Sequence, residues 1–321
     1  MDVETKHPEY YFSDGSIVLR LGKTLFKIHQ SILGRHSDIF AGMWDMPQPD
    51  GEELVDGCPV VDLQDDVDDF TDTLRAVYDS FHFDTLNTST ASLGELVTFV
   101  NGILKISTKY SMAKLRQKCI SLLLVKLPNT FESCCALLHT KSKYDSPDII
   151  RVINLARAAN VPEILPWAFY LCTHMSVNDI MKNTVLSWQD KAIVLAGRER
   201  LWEVQKSTSN SALFVFTPSQ QCTSNCQGRI LAAIPGTSIS TGNPPGLNMG
   251  MNYREAEDYR RSPHPLGEFD GWSHMKQQPV CGRCSSHQIA EHKKGREKVW
   301  NNLPTYFDLG TWEDIKKDQY L

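Results

Sequence analysis

The chain has no basic excess: 33 lysines and arginines stand against 38 aspartates and glutamates, for a formal net charge of −5 over 321 residues. A nucleic-acid binder normally carries surplus cations to displace counterions from phosphates, so nucleic acid is not an expected partner. Nowhere do about 18 uncharged apolar residues run together, as a membrane-spanning helix requires. The stretch from Met1 to Pro8 also lacks the apolar segment of a secretory leader. The expectation is a protein that is neither exported nor embedded in a membrane. The phosphate-cradling G-x-x-x-x-G-K-[ST], the zinc-protease H-E-x-x-H and the nucleophile elbow G-x-S-x-G are all missing. The chain therefore reads as non-enzymatic. No internal repeat is visible.

What is present is ordinary globular material, with 41% hydrophobic and 22% charged residues, enough for two or three domains with cores of their own. The cysteine count is nine, an odd number, and Cys58, Cys119, Cys134, Cys135 and Cys172 sit among apolar neighbours, where a thiol acts as a small hydrophobe. A reducing compartment, cytoplasmic or nuclear, is expected.

Along the chain, Ile17, Leu19 and Leu21 are followed by Gly22-Lys23 and then Leu25, Phe26 and Ile28, the pattern of a tight hairpin whose turn needs a positive φ at Gly22. Ile32, Leu33, His36, Ile39, Phe40 and Met43 then fall at helical spacing, with Ser37 as an N-cap dividing two short helices. Residues 47–59 read as an exposed loop and Val60 to Leu63 as a strand. Asp65, Asp66, Asp68 and Asp69 suit the positive end of a helix whose Val67, Phe70, Leu74, Val77 and Tyr78 share a face. They lack the glycine and distal glutamate of a calcium loop. Two more helices are expected, one through Leu93 to Leu104 and one capped by Ser111. Helices carrying Phe131 to Leu138, Pro147 to Ala156 and, after a Ser187 cap, Ile193 to Leu201 come next. From Ser207 to Pro279 the composition shifts to loop-forming residues, with apolar islands at Leu213 to Phe216 and Ile230 to Ile234. Ile289 to Trp300 looks helical and Tyr306 to Leu309 extended. The run from His292 to Lys298 reads as a solvated helix face.

Asp14-Gly15-Ser16-Ile17-Val18-Leu19, Leu25-Phe26-Lys27-Ile28-His29 through Leu33, and Ser37-Asp38-Ile39-Phe40 together resemble the opening signature of the BTB/POZ domain. Val61-Asp62-Leu63 with Phe70, Leu74 and Tyr78, and Lys109-Tyr110-Ser111-Met112 with Leu115 and Cys119, are similar to its later motifs. The whole layout resembles the large set of BTB proteins found in mushroom-forming fungi. The resemblance implies an α+β fold in three parts: a BTB/POZ domain of small sheet and helices over residues 10–126, a helical domain over 127–206, and a loop-rich, cysteine-containing module over 207–321. It implies protein partners bound through the BTB domain, as a scaffold or adaptor. Alternatives are a substrate adaptor of a cullin-RING ubiquitin ligase, where Met43-Trp44-Asp45 carries Asp in place of the adaptor families' Glu, and a chromatin-associated regulator. A strand-exchanged homodimer is not expected, because only Met1 to Glu9 precede the signature. In that family His29 packs and hydrogen-bonds rather than acting as a base.

The chemistry-bearing pattern is Cys222-x3-Cys226 with Cys281-x2-Cys284. Each pair can offer two thiolates from one turn, and together they can complete a tetrahedral structural zinc site. His287 and His292 are spare fourth ligands. A redox dithiol or four unliganded thiols remain as alternatives.

Overall fold

The computed structural model describes residues 4–46, 53–140, 143–211, 216–227, 263–268 and 280–317. The fold is mixed α+β. The chain divides into two compact units, one of residues 1–127 and 147–161, the other of 128–146 and 162–321. The helix over Ser146–Ala158 thus belongs with the sheet-bearing first unit rather than with the helical stretch that surrounds it in sequence.

The first unit is built on a five-stranded sheet in the order β1-β3-β2-β5-β4. Its strands are β1 (Thr5–Tyr11), β2 (Ile17–Leu21), β3 (Thr24–Ile28), β4 (Leu54–Val55) and β5 (Cys58–Leu63). β2 and β3 form the hairpin, Leu19 facing Phe26 across it, and Gly22 takes the required left-handed φ of 58°. β5 joins β2 in parallel, Leu19 beside Val61. Ile17, Leu19, Leu21, Phe26 and Ile28 are all fully buried, and Phe26 meets the ring of Phe70 edge-on at 5.6 Å. On the opposite face Val18, Leu25 and Cys58 form a smaller cluster with Tyr11, Val55 and Val60.

β1 is not among the expected strands. It pairs with β3 in parallel, and its register shifts between Lys6 and Tyr11. Within that shift the ring Nδ1 of His7 accepts from the backbone N–H groups of Glu9 (3.2 Å) and Tyr10 (3.1 Å). A side chain thus satisfies donors that the interrupted ladder would leave open, and Pro8 is tolerated in an edge strand.

Helices α1 (Gln30–His36) and α2 (Asp38–Trp44) meet at Ser37, whose hydroxyl accepts from Phe40 N–H at 3.1 Å and donates to the Tyr110 carbonyl at 2.5 Å. α3 (Val67–Tyr78) starts on Asp66, which accepts from the N–H groups of Asp68 and Asp69. α4 (Leu93–Lys109) starts on a reciprocal Ser92–Glu95 capping box. A Cβ at Gly102 would come within 2.6 Å of Asp69 Cα, so glycine there lets α3 and α4 touch backbone to backbone. α5 (Ala113–Leu124) begins after Met112, not on a Ser111 cap. Ser111 has a left-handed φ of 52° and serves as the turn between the two helices. α7 (Ser146–Ala158) is tied to α4 by Arg151, which donates to Thr98 Oγ1 at 2.7 Å.

The second unit contains α6 (Phe131–His139), α8 (Leu165–Cys172), α9 (Val177–Lys182), α10 (Trp188–Val204), α11 (Gly282–Asn301) and α12 (Trp312–Lys317). α8 is apolar all round, with Trp167, Ala168, Phe169 and Tyr170 buried, as a central helix should be. Phe169 packs on Phe307 at 5.5 Å and Trp167 on Trp300 at 5.9 Å. Ser187 caps α10 by accepting from Asp190 N–H at 3.0 Å. Residues Leu303–Phe307 form a 3-10 turn ended by left-handed Asp308, where an extended segment was expected. Pro304 near its start and the hydrogen bond from Leu309 N–H to the Pro304 carbonyl favour the turn. The apolar islands at 213–216 and 230–234 lie outside the described residues, except Phe216.

Candidate metal centre

α10 does not end in an ordinary turn. Its last residues widen into a π-turn, Gln205–Ser209, in which Asn210 N–H reaches back to the Gln205 carbonyl at 2.9 Å. This aims the Ser209 carbonyl sideways at α11, where His292 Nδ1–H donates to it at 2.7 Å. Three residues on, Gly295 faces the same turn. A Cβ there would overlap the Thr208 carbonyl and stand 2.9 Å from Ser209 Cα. Arg296, one step further, is 3% exposed and donates to the Leu266 carbonyl at 2.8 Å and to Glu268 at 2.9 Å. The His292 to Lys298 run is therefore not a uniformly solvated face. His292, Gly295 and Arg296 point inward, whereas Lys293, Lys294, Glu297 and Lys298 are exposed.

These contacts fix α11, and the start of α11 carries two of the four candidate ligands. Cys281 is the residue preceding the helix and Cys284 lies in its first turn. The other two come from a short loop. Cys222 N–H donates to the Ser219 carbonyl at 2.9 Å, and Asn225 takes a left-handed φ of 47° that turns the chain before Cys226. The four sulfurs all lie within 4.8 Å of one another. A tetrahedron with Zn–S near 2.3 Å has edges of about 3.8 Å, so a small contraction would complete it. Backbone donors are already directed at sulfur: Cys281 N–H reaches Cys226 Sγ at 3.1 Å, and Ser219 N–H reaches Cys284 Sγ at 3.4 Å. All nine cysteines are unbridged.

The four thiols are not equivalent. Cys222 is lowered to about 6 by the N–H groups of Cys226 and Ser224, and Cys281 is lowered by the N–H of Cys284 at the helix start. Burial pushes Cys284 up to about 12. Cys226 is also raised: the Cys281 N–H favours its thiolate, but burial and the neighbouring thiols outweigh that. Two thiolates at about 4 Å repel by about 4 kcal/mol at an effective dielectric near 20, so four together need a cation among them. The arrangement can bind a metal ion, a soft, closed, all-sulfur site of the kind that suits zinc.

The histidines held in reserve are not part of the cluster. His292 is committed to Ser209, and neither it nor His287 joins the four sulfurs. The acidic start of α3 is likewise occupied by protein groups: Asp65 accepts from Lys109 and Tyr110, and Asp69 accepts from Asn101 and Lys105. His29 shares the Tyr78 hydroxyl between its backbone N–H and its ring Nδ1, both at 3.1 Å.

Sequence reasoning missed the supports of the site. Asn225 and Ser219 carry weak turn signals, and Gly295 within a charged helix hints at close packing. Nothing in the pattern announces a π-turn. No family model matches the chain, and no curated protein matches it. No helix among the described residues is long and apolar enough to cross a membrane.

Proposed function

We propose that the protein is a non-enzymatic interaction protein: the first unit acts as a BTB/POZ-like association module, and the second is a helical unit stapled by one structural zinc. The observation that carries the zinc is the convergence of Cys222, Cys226, Cys281 and Cys284 from two separate segments. Supporting the association role is the order of elements in the first unit. A hairpin leads into two short helices, the second capped by Ser37, then a parallel strand and a run of longer helices, the order that the sequence resemblance implies. Thr5–Tyr11 is spent on the chain's own sheet, which argues against its exchange with a second copy.

Protein prepared without chelators should contain one zinc per chain by elemental analysis, and a metal-free chain in which the second unit still melts cooperatively at its metal-loaded temperature would end the zinc reading. Affinity capture of the full chain from its native cell, with Phe40→Ala as the matched control, tests association. A partner retained by the native chain and lost by the variant supports it. Identical captures by both would refute it, and direct binding of a purified cullin would specify the adaptor form. Light scattering that finds a tight dimer lost on deletion of residues 1–9 would show strand exchange after all.

A further inference from the structure

Two histidines 90 residues apart meet beside the C-terminal end of α8. Tyr170 lies in the last turn of α8 and His174 just beyond it, whereas His264 comes from the segment 263–268. That segment is held from two sides: His264 N–H donates to Gln205 Oε1 at 2.6 Å, and Arg296 donates to the Leu266 carbonyl. His174 Nε2 stands 3.3 Å from His264 Nδ1, and the Tyr170 oxygen is 2.6 Å from the same nitrogen. Both histidines are exposed, and both line a cavity of about 350 Å3.

The nitrogen spacing suits ligation. Two nitrogens held at about 2.0–2.1 Å from one tetrahedral ion lie about 3.4 Å apart. The other ring nitrogen of His174 is bonded to the Leu171 and Tyr170 carbonyls, the support that fixes a ligating imidazole and leaves Nε2 with its lone pair. The Leu266 N–H donates to the Tyr170 oxygen and so favours its phenolate, although burial keeps the phenol protonated in the free protein. An ion must therefore displace that proton, and the 2.6 Å hydrogen bond then opens to a tetrahedral edge. Both imidazoles stay neutral at pH 7, His174 lowered to about 4 and His264 to about 3, each chiefly by burial, and the neutral ring is the form that binds metal. Arg296, whose charge opposes a cation here, is paired with Glu268 at 2.9 Å.

We propose that Tyr170, His174 and His264 hold a divalent transition-metal ion through the Tyr170 oxygen, His174 Nε2 and His264 Nδ1, with solvent completing the shell from the cavity. Imidazole and oxygen donors suit zinc, cobalt or nickel rather than calcium or magnesium. Two imidazoles and one phenol hold a dication less tightly than four thiolates, so this ion should be lost on desalting while cysteine-bound zinc is retained.

Cobalt(II) reports its ligands by colour and tests this site on the full, zinc-loaded chain. One ion per chain should bind with the visible d–d bands of a nitrogen–oxygen site, and binding should strengthen between pH 6 and 8 because it releases the phenol proton. Cobalt at the cysteines is read separately, in the near-ultraviolet charge-transfer band of thiolates, so the outcome is independent of the cysteine cluster. His174→Gln and His264→Gln should each weaken the nitrogen–oxygen site by about tenfold or more. Tyr170→Phe, which keeps the ring and removes the oxygen, should weaken binding and flatten its pH dependence. No binding to the native chain at millimolar cobalt, or a thiolate band alone, would overturn the assignment. Unchanged affinity in a folded His174→Gln chain would do the same. If neither histidine variant folds, Tyr170→Phe still decides, since affinity and pH profile equal to those of the native chain refute the site.

Discussion

The two units solve the same problem with different means. In the first, a twisted sheet buries Ile17, Leu19, Leu21, Phe26 and Ile28 on one face, and local caps at Ser37, Asp66 and Ser92 start its helices. Three of its helices are started by nearby side chains, and the main sheet face carries its apolar core. In the second, α8 carries an aromatic centre of Trp167, Phe169 and Tyr170, and the long helix α11 is held as well by polar devices: the His292–Ser209 hydrogen bond, the buried Arg296 and the sulfur cluster. Apolar burial is redundant and tolerates local damage, whereas a cross-link concentrates stability in a few atoms. The first unit should therefore respond to packing changes and the second to chemistry.

Metal removal should separate them most sharply. Apparent binding energies of structural zinc sites are about 10–16 kcal/mol, more than most domains have in reserve. A strong chelator should abolish the melting transition of the second unit and leave that of the first, as followed by calorimetry; a single transition shifted as a whole would break the comparison. Phe40→Ala should do the reverse. Phe40 is fully buried and stacks on Tyr110 at 4.4 Å, so its truncation should lower the first unit's stability by about 3–5 kcal/mol in denaturant titration, with zinc content unchanged.

Gly295→Ala is a smaller and more discriminating test. Alanine is the better helix former by about 1 kcal/mol, yet its methyl has no room against the Thr208 carbonyl. Overpacking of this kind costs about 1–3 kcal/mol, so the net change should be a loss confined to the second unit; a gain would show that the π-turn yields easily. The smallest effect concerns acid. His292 is held below its ordinary 6.5 by burial, so the unfolded chain takes up the proton first. The stability it protects is complete above pH about 6.5 and falls as pH drops below that value. His292→Asn keeps a donor for the Ser209 carbonyl without a titrating ring. Its second unit should lose less melting temperature between pH 7.5 and 5.5 than the native chain does, and equal losses would remove His292 from the account.

Much of the first unit is legible in the sequence because its signals are local. Alternation and Gly22 give the hairpin, and Ser37 and Asp66 are caps whose donors lie two or three residues away. β1 escapes such reading: it is an edge strand of polar residues interrupted by Pro8, and its pairing depends on β3, far along the chain. Ser111 misleads for a related reason, since serine suits both an N-cap and a left-handed turn and only the packing of α4 on α5 decides. At the metal centre the ligands are legible by spacing, but their supports are not. The π-turn, the inward side of the basic run and the meeting of His264 with Tyr170 are long-range facts that leave no periodic trace.

The division of ligands between two short segments has a consequence for variation in chain length. Cys222 and Cys226 belong to one turn and Cys281 and Cys284 to another, so the geometry at sulfur depends on each turn and not on how many residues join them. The closure cost of an unconstrained connection varies only with the logarithm of its length, and doubling that length costs about 0.6 kcal/mol. The spacings of three and two residues within the pairs are set by those turns, while the stretch between the pairs is held separately, at His264, Leu266 and Glu268. An insertion between Cys226 and Cys281 should therefore leave the ligand set in place only where it spares residues 263–268, which Arg296 and Tyr170 hold.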